Sequence, residues 1–485
     1  MQGTPTAFPL VPPRGPSRSG LLAVIGLSCV WLVLNFLLLL LAPLQSVDGG
    51  VFRTLIAVAT VAVMWLFYLA GTTTPKAMTA LMVIILIVSE LSLRNRALND
   101  TTADPQNLVK LIFWGAGMLV ALLNWRHLRQ ALREPVFVAM TLYAVWAILT
   151  SIYSPIFTYS FASGFAFLSV LFFAGVIRQV VAPRTLLKAS IGALTPLLVI
   201  ALLMYVLVPD RAMALMEAGN IKRLAAPLGT PNSLGRVAAI VFLLCFVGWR
   251  LGWLKLTSPF LWVSVGSAVG CMVLSQSRTA ILAASLALAA VLLVRRPFRF
   301  LIVASALLAG GLLFSISETD PRDIAKAVSR TGSVSEVTSL TGRTQIWAFA
   351  WQEIKKAPVL GYGNASTKYY MPLKFRTFWG WTSTHVHNMW LQIWFTTGLV
   401  GVVLLFGVFL TQFLYWRKSR DLLSFVFLIF AFTIGLSEAA FINGVPSVLT
   451  AIWFFWLAGP KNTAVATANA GSLTPTRAPW QLARQ

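Results

Sequence analysis

The sequence predicts an all-α polytopic membrane protein of about 12–14 transmembrane helices, about fourteen being the best count from the length a helix needs to cross a bilayer. Three observations predict this. Only 11% of residues are charged and 58% are hydrophobic, so the apolar side chains must face lipid while helices satisfy the backbone internally. Long stretches carry no charge at all: Arg18 to Asp48, Arg53 to Lys76, Lys188 to Asp210 and Lys255 to Arg278. Each approaches or exceeds the ~20 residues of one crossing. Lys and Arg cluster instead in short connections, as Arg126/Arg129/Arg133, Arg178/Arg184, Arg295/Arg296/Arg299 and Arg417/Lys418/Arg420. Such clusters mark the inner face of the membrane. They account for the net charge of +24 without nucleic acid.

The elements follow in order. Residues 1–19 are Pro-, Ser- and Gly-rich and read as a disordered inner-face tail. No small-residue cleavage site follows, so the first apolar run is expected to be retained. The N-terminal transmembrane helices occupy 20–316, with spans near 20–42, 51–71, 77–93, 107–125, 135–152, 159–177, 185–208, 233–253, 258–276, 279–294 and 299–316. Residues 317–387 form the one long extramembrane loop, which the odd number of preceding crossings puts outside. The C-terminal transmembrane helices, 388–460, comprise spans near 388–415, 422–437 and 445–460. An Ala/Thr/Pro-rich tail, 461–485, is expected to be disordered and inside, and no soluble domain is expected before or after the membrane part. Cys29, Cys245 and Cys271 fall within spans and are not expected to form disulfides.

Within the long loop, Ile346, Trp347, Ala350, Trp351 and Ile354 recur at helical spacing, whereas Gln345, Gln352, Glu353, Lys355 and Lys356 point elsewhere. This predicts an amphipathic helix over 341–357, lying on the membrane surface or the bundle. Pro358 and Gly361-Tyr362-Gly363 stop it. The aromatics Tyr369, Tyr370, Phe375, Phe378, Trp379 and Trp381 suit an interface, and equally suit stacking on sugar rings.

Few residues can carry chemistry. No HExxH, phosphate-binding loop or Cys/His metal set occurs, and Glu318, Asp320 and Asp323 read as a loop entry rather than a metal site. Of three histidines, His127 lies among inner-face arginines. His385 and His387 lie at the outer mouth of a span and can act as general bases near neutral pH, or simply cap a helix. Arg278, at an outer boundary between spans, either snorkels or holds an anion. Arg343 opens the amphipathic helix, where the helix dipole adds to its field. Outer-face arginines without matching carboxylates suit a diphosphate, whose oxygens the guanidinium fork matches.

His387-Asn388, nine residues, then Gly398-Leu399-Val400-Gly401 resembles the HN-x9-GxxG signature of bacterial O-antigen ligases. Ser275-Gln276-Ser277-Arg278 resembles the family's S-x-S-R segment. Thr341-Gly342-Arg343, Trp347, Pro358 and Gly361-Tyr362-Gly363 resemble a G-R…W…P…G-x-G run of the wider ligase/polymerase superfamily, and Pro231-Asn232 before Gly235 its P-N segment. The likeness covers about residues 230–405; the first 200 match only in being hydrophobic.

The resemblance implies a multi-pass protein of the bacterial inner membrane with a C-type glycosyltransferase-like fold, its active site on the periplasmic face and 317–387 a periplasmic loop. It implies an inverting, metal-independent transferase without cofactor. The donor would be O-antigen glycan on undecaprenyl pyrophosphate and the acceptor a hydroxyl of lipid A–core oligosaccharide, completing lipopolysaccharide among membrane lipids. By family position His387 would be the base, Arg278 and Arg343 would hold the pyrophosphate, and Asn388 would orient the histidine. His385, Arg211, Lys222, Arg223 and Arg236 are further candidates by location. An O-antigen polymerase or a protein O-oligosaccharyltransferase would share these motifs. A secondary transporter would instead gather polar groups near the midplane, and Glu438 and Asn443 are the best pointers to one.

Overall fold

The computed structural model describes residues 74–90, 105–215, 222–293, 343–377, 380, 382–442 and 444–459. The expected tails, the spans near 20–42, 51–71 and 299–316, Glu318, Asp320, Asp323, Phe378, Trp379, Trp381 and Asn443 lie outside the described residues.

The described chain is helical apart from one short hairpin. In order, the elements are α1 (Pro75–Glu90), α2 (Pro105–Leu123), α3 (Trp125–Ala131), α4 (Pro135–Thr150), α5 (Phe157–Val180), α6 (Pro183–Leu207) and α7 (Pro209–Ala212). The antiparallel strands β1 (Met213–Leu215) and β2 (Lys222–Leu224) follow, pairing Met213 with Leu224. Then come α8 (Pro231–Arg250), α9 (Pro259–Ser275), α10 (Arg278–Leu293), α11 (Arg343–Lys356), α12 (Thr367–Lys374), α13 (Met389–Ser419), α14 (Leu422–Gly435) and α15 (Val448–Phe455). Helices α1, α2, α4, α6, α8 and α9 each begin on a proline. There the missing N–H costs no hydrogen bond and the fixed φ suits the first turn.

Among the described residues, α4 with its one-turn extension Ser151–Tyr153, α5, α6, α8 and α13 are long and apolar enough to cross a membrane. Residues Val109–Leu123 and α3 make a sixth only if counted as one span despite a 93° bend. Helices α9, α10 and α14 are apolar but shorter. Each coincides closely with an expected span. The expected spans near 77–93 and 445–460 meet only shorter helices among the described residues, Pro75–Glu90 and the eight-residue Val448–Phe455, and those near 20–42, 51–71 and 299–316 lie outside the described residues. Apolar side chains are exposed along the outward faces, including Leu142, Leu149, Leu203, Val206, Val263 and Phe406. A lipid-facing surface accounts for them.

The basic cluster Arg178/Arg184 corrects the expectation of a simple connecting loop. Helix α5 runs past the expected end of its span, and its last turn carries Arg178 into the interior, 1% exposed. There its Nη2 donates to the Gly459 carbonyl at 2.6 Å and lies 3.6 Å from Glu134 Oε2, with the guanidinium 4.8 Å from the Phe137 ring centroid. A buried arginine is tolerated because a carboxylate and a carbonyl meet it.

The HN-x9-GxxG spacing has a mechanical reason. Helix α13 breaks at Gly398, with φ 70° and ψ −171°, backbone that essentially only glycine adopts. The break frees carbonyls, and the loop after α11 fills the gap. Tyr362 N–H donates to Phe395 O at 2.9 Å and Gly363 N–H to Thr396 O at 2.8 Å, while Leu399 N–H reaches Pro358 O at 2.9 Å. Gly361 lies so close that a Cβ there would stand 2.7 Å from the Gly398 nitrogen. Asn364 then enters the bundle, where its Nδ2 donates to Ser160 O at 2.9 Å. The G-x-G run and the GxxG run are two halves of one contact.

Helix α11 matches the amphipathic expectation on one face: Ile346, Ala350 and Ile354 are buried. Two positions differ. Trp351 is exposed, packed edge-on against Trp394 at 5.4 Å. Glu353, expected to point away, is buried between Lys356 and Lys374 and accepts from the Tyr362 hydroxyl. Periodicity cannot reveal an acidic residue drawn inward by cations on other turns.

Candidate active site

The candidate site lies at one end of the bundle, where α8, α10, α11 and α13 begin and α9 and α14 end. Arg178 and Glu134 lie toward the opposite end. Local chemistry builds each edge of the site. Thr230 caps α8 by accepting from the Ser233 N–H at 3.1 Å. One turn in, Gly235 packs so tightly on the S-x-S-R segment that a Cβ would meet Ser277 and lie 2.8 Å from Ser275 Oγ. Gln276, with φ 48°, reverses the chain between α9 and α10. That turn puts Arg278 at the head of α10, half-buried, beside the α8 end that carries Arg236.

The histidine segment is pinned from three helices. Trp347 Nε1 donates to Val386 O at 3.0 Å, and the Val386 N–H donates to Gln392 Oε1 at 2.9 Å. Gln392 Nε2 in turn donates to Thr367 Oγ1 at 2.8 Å. These bonds hold His387 at φ 53°, uncommon for a residue bearing a Cβ. Asn388 follows as the cap of α13, accepting from Leu391 N–H at 3.0 Å and donating from Nδ2 to Leu436 O at 2.9 Å.

Glu438, just beyond α14 and 3% exposed, is the centre of the arrangement. Its Oε1 accepts from Arg343 Nη2 at 2.6 Å and from Asn232 Nδ2 at 3.1 Å. Its Oε2 lies 3.3 Å from His387 Nδ1 and 3.5 Å from Arg236 Nη1. Arg343 Nη1 also donates to Ser437 O at 2.5 Å. Burial alone would raise the Glu438 carboxyl, but Arg343, the His387 hydrogen bond and Arg236 together hold it well below the usual carboxylate range. A carboxylate only accepts, so neutral His387 carries its proton on Nδ1 and leaves Nε2 as the basic nitrogen. Ser383 Oγ, which donates to the His385 carbonyl at 2.8 Å, stands 3.3 Å from that Nε2.

His385 lies against His387, ring centroids 4.1 Å apart. Burial first, then His387, pushes its pKa well below 6.5, so it is neutral at physiological pH. The ligating atoms of His385, His387 and Glu438 fall within 4.8 Å of one another, a cluster that sequence spacing did not reveal. The set suits a metal poorly. Both oxygens of its one carboxylate already face guanidinium groups, and a divalent ion would stand beside those cations.

Arg236, Arg343, His387 and Asn388 are thus brought together, with His385 in ring contact and Arg278 opening a helix at the same end. Arg223 is turned inward, 1% exposed, donating from Nε to Ser275 O at 2.8 Å and from Nη2 to Asn232 Oδ1 at 3.0 Å. It ties the hairpin to the S-x-S-R turn. Arg211 and Lys222 are exposed on the hairpin side, Lys222 lying 3.6 Å from Asp210. Sequence reasoning missed the role of Glu438 in this cluster, having set it aside as a transporter pointer. Its one signal was being an acidic residue at the end of an expected span, on the side where the sequence places unmatched arginines.

A family profile described as O-antigen ligase matches residues 262–406. A Pseudomonas aeruginosa protein named "O-antigen ligase" is 24% identical over 347 residues, covering 69% of this chain and 79% of that protein. A Rickettsia felis protein named "Putative polysaccharide ligase" is 32% identical over 117 residues, 22% of this chain, and the match spans 28% of that relative's length.

Proposed function

We propose that this chain, which belongs to the O-antigen ligase family, transfers O-antigen glycan from undecaprenyl pyrophosphate to a hydroxyl of lipid A–core oligosaccharide. In this reading the reaction takes place on the periplasmic face of the inner membrane, inverts the anomeric centre and needs no metal. The observation that carries it is the meeting of an imidazole and two arginines on one buried carboxylate, with His387, Arg236 and Arg343 all around Glu438.

His387 Nε2 takes the proton of the acceptor hydroxyl as its oxygen attacks the anomeric carbon, opposite the diphosphate. The bond from that carbon to the diphosphate oxygen breaks, and its electron pair leaves with undecaprenyl pyrophosphate. Arg278, Arg343 and Arg236 stabilise the charge gathering there. Preorganised donors aimed at a developing anion supply what a metal would otherwise supply. Glycan transfer to serine or threonine of a protein, or to a second lipid-linked glycan, would use the same donor chemistry, so the acceptor decides the assignment.

Lipopolysaccharide from a deletion strain tests it. Complete core without O-chains is the expected outcome; core bearing a single repeat would indicate a polymerase, and an unchanged profile would refute both. Purified protein should form the ligated product in excess chelator, and strict dependence on a divalent ion would overturn the metal-free reading.

A further inference from the structure

The reaction as derived uses His387 and the arginines but not the carboxylate that joins them. Glu438 is almost wholly buried, and Arg343, Arg236, Asn232 and His387 all converge on it. A guanidinium fork recognises carboxylate and phosphate by the same geometry. Glu438 therefore occupies, toward Arg236 and Arg343, the role a diphosphate oxygen would take. Toward His387 it does something different: it accepts the Nδ1 proton and so turns Nε2 outward.

We propose that Glu438 is a positioning residue with two opposed effects, holding Arg236 and Arg343 in place of the donor's diphosphate and orienting His387 for the acceptor. The inference rests on the reading of His387 as the base. Donor binding then draws the guanidinium groups wholly or partly from Glu438 to the diphosphate. The carboxylate released from them faces Nδ1 as the acceptor proton arrives on Nε2 and His387 becomes a cation. The exchange keeps charge balanced at each stage: an anion replaces an anion on the arginines, and a new cation replaces the arginines on Glu438. It also explains why a site built for a polyanionic donor contains a buried carboxylate at all.

A purely structural Glu438 would give parallel losses, whereas this role separates binding from turnover. The full-length chain is reconstituted in nanodiscs, with undecaprenyl-pyrophosphate glycan as donor and lipid A–core as acceptor. With Glu438→Gln, donor affinity should rise at least about twofold because the competing charge is gone. Turnover at saturating donor should fall on the order of 10²-fold because the base is no longer oriented. Glu438→Asp keeps the negative charge in the cluster but draws the carboxylate back by one methylene, so donor affinity should lie nearer wild type than in the glutamine variant while turnover falls between the two. Loss of donor affinity in step with thermal stability in the glutamine variant would overturn the proposal. So would wild-type turnover in the aspartate variant, which decides the matter if the glutamine variant does not fold. A wild-type protein that binds donor yet moves nothing to lipid A–core would refute the ligase reading, while the binding comparison would still judge the hold of Glu438 on the arginines.

Discussion

His387 and Arg343 are joined through opposite oxygens of one carboxylate: Nδ1 of His387 lies 3.3 Å from Glu438 Oε2, and Nη2 of Arg343 2.6 Å from Oε1. The two residues come from separate segments, the turn before α13 and the first residue of α11. The link couples the proposed base to a proposed diphosphate ligand through Glu438.

His387→Ala should abolish transfer while the protein still folds, since a positioned general base contributes about 10²–10⁴-fold. His385→Ala should act more mildly, because His385 meets Thr384 Oγ1 through its Nδ1 and touches His387 only ring to ring. Initial rates with saturating donor check both; equal losses would leave the base unassigned between them.

Arg278→Lys should impair transfer by about tenfold or more, because an ammonium is a point charge and cannot reproduce two parallel bonds to phosphate. The comparison to make is the rate per folded molecule against wild type. Near-normal activity would mean that Arg278 only anchors the head of α10.

Gly398→Ala should cost at least about 1–3 kcal/mol, the scale for a Cβ-bearing residue in glycine-only backbone. Its Cβ would also strike the Val359 carbonyl, which cannot move without pulling the G-x-G loop out of the break in α13. A lower thermal midpoint in detergent is the readout, with loss of transfer following from the displaced loop.

Acid should loosen the site before the bundle. His385 has a depressed pKa from burial and its charged neighbours, so below about its ordinary 6.5 the unfolded chain binds a proton that the folded chain refuses. Stability falls from there as pH drops. Glu438 adds a second loss in the same direction: its folded pKa lies well below its ordinary 4.5, and its contribution, full above that value, disappears as pH falls through the folded one. Thermal midpoints measured downward from pH 7 should decline, and Glu438→Gln should remove the more acidic part of the decline. A midpoint flat from pH 7 to pH 4 would contradict the depressed pKa of His385.

What the sequence by itself determined was the class of molecule and the outline of each helix. Charge-free length and proline starts are local properties, so α4, α6 and α8 begin and end near their expected positions. The motif residues His387, Asn388, Arg278 and Arg343 were also legible, because their spacing along the chain is fixed by turns and caps close to them. Tertiary structure alone decided which polar groups meet. Glu438 reaches His387 across 51 positions, and Arg178 reaches Gly459 across 281. Hydropathy treats each of these as a charge at a helix end and cannot distinguish a snorkelling arginine from one paired in the interior. Only the packing of α8, α11, α13 and α14 at one end brings two guanidinium groups and an imidazole onto a single buried carboxylate. Burial makes that meeting obligatory, since each of those charges would be costly there without the others.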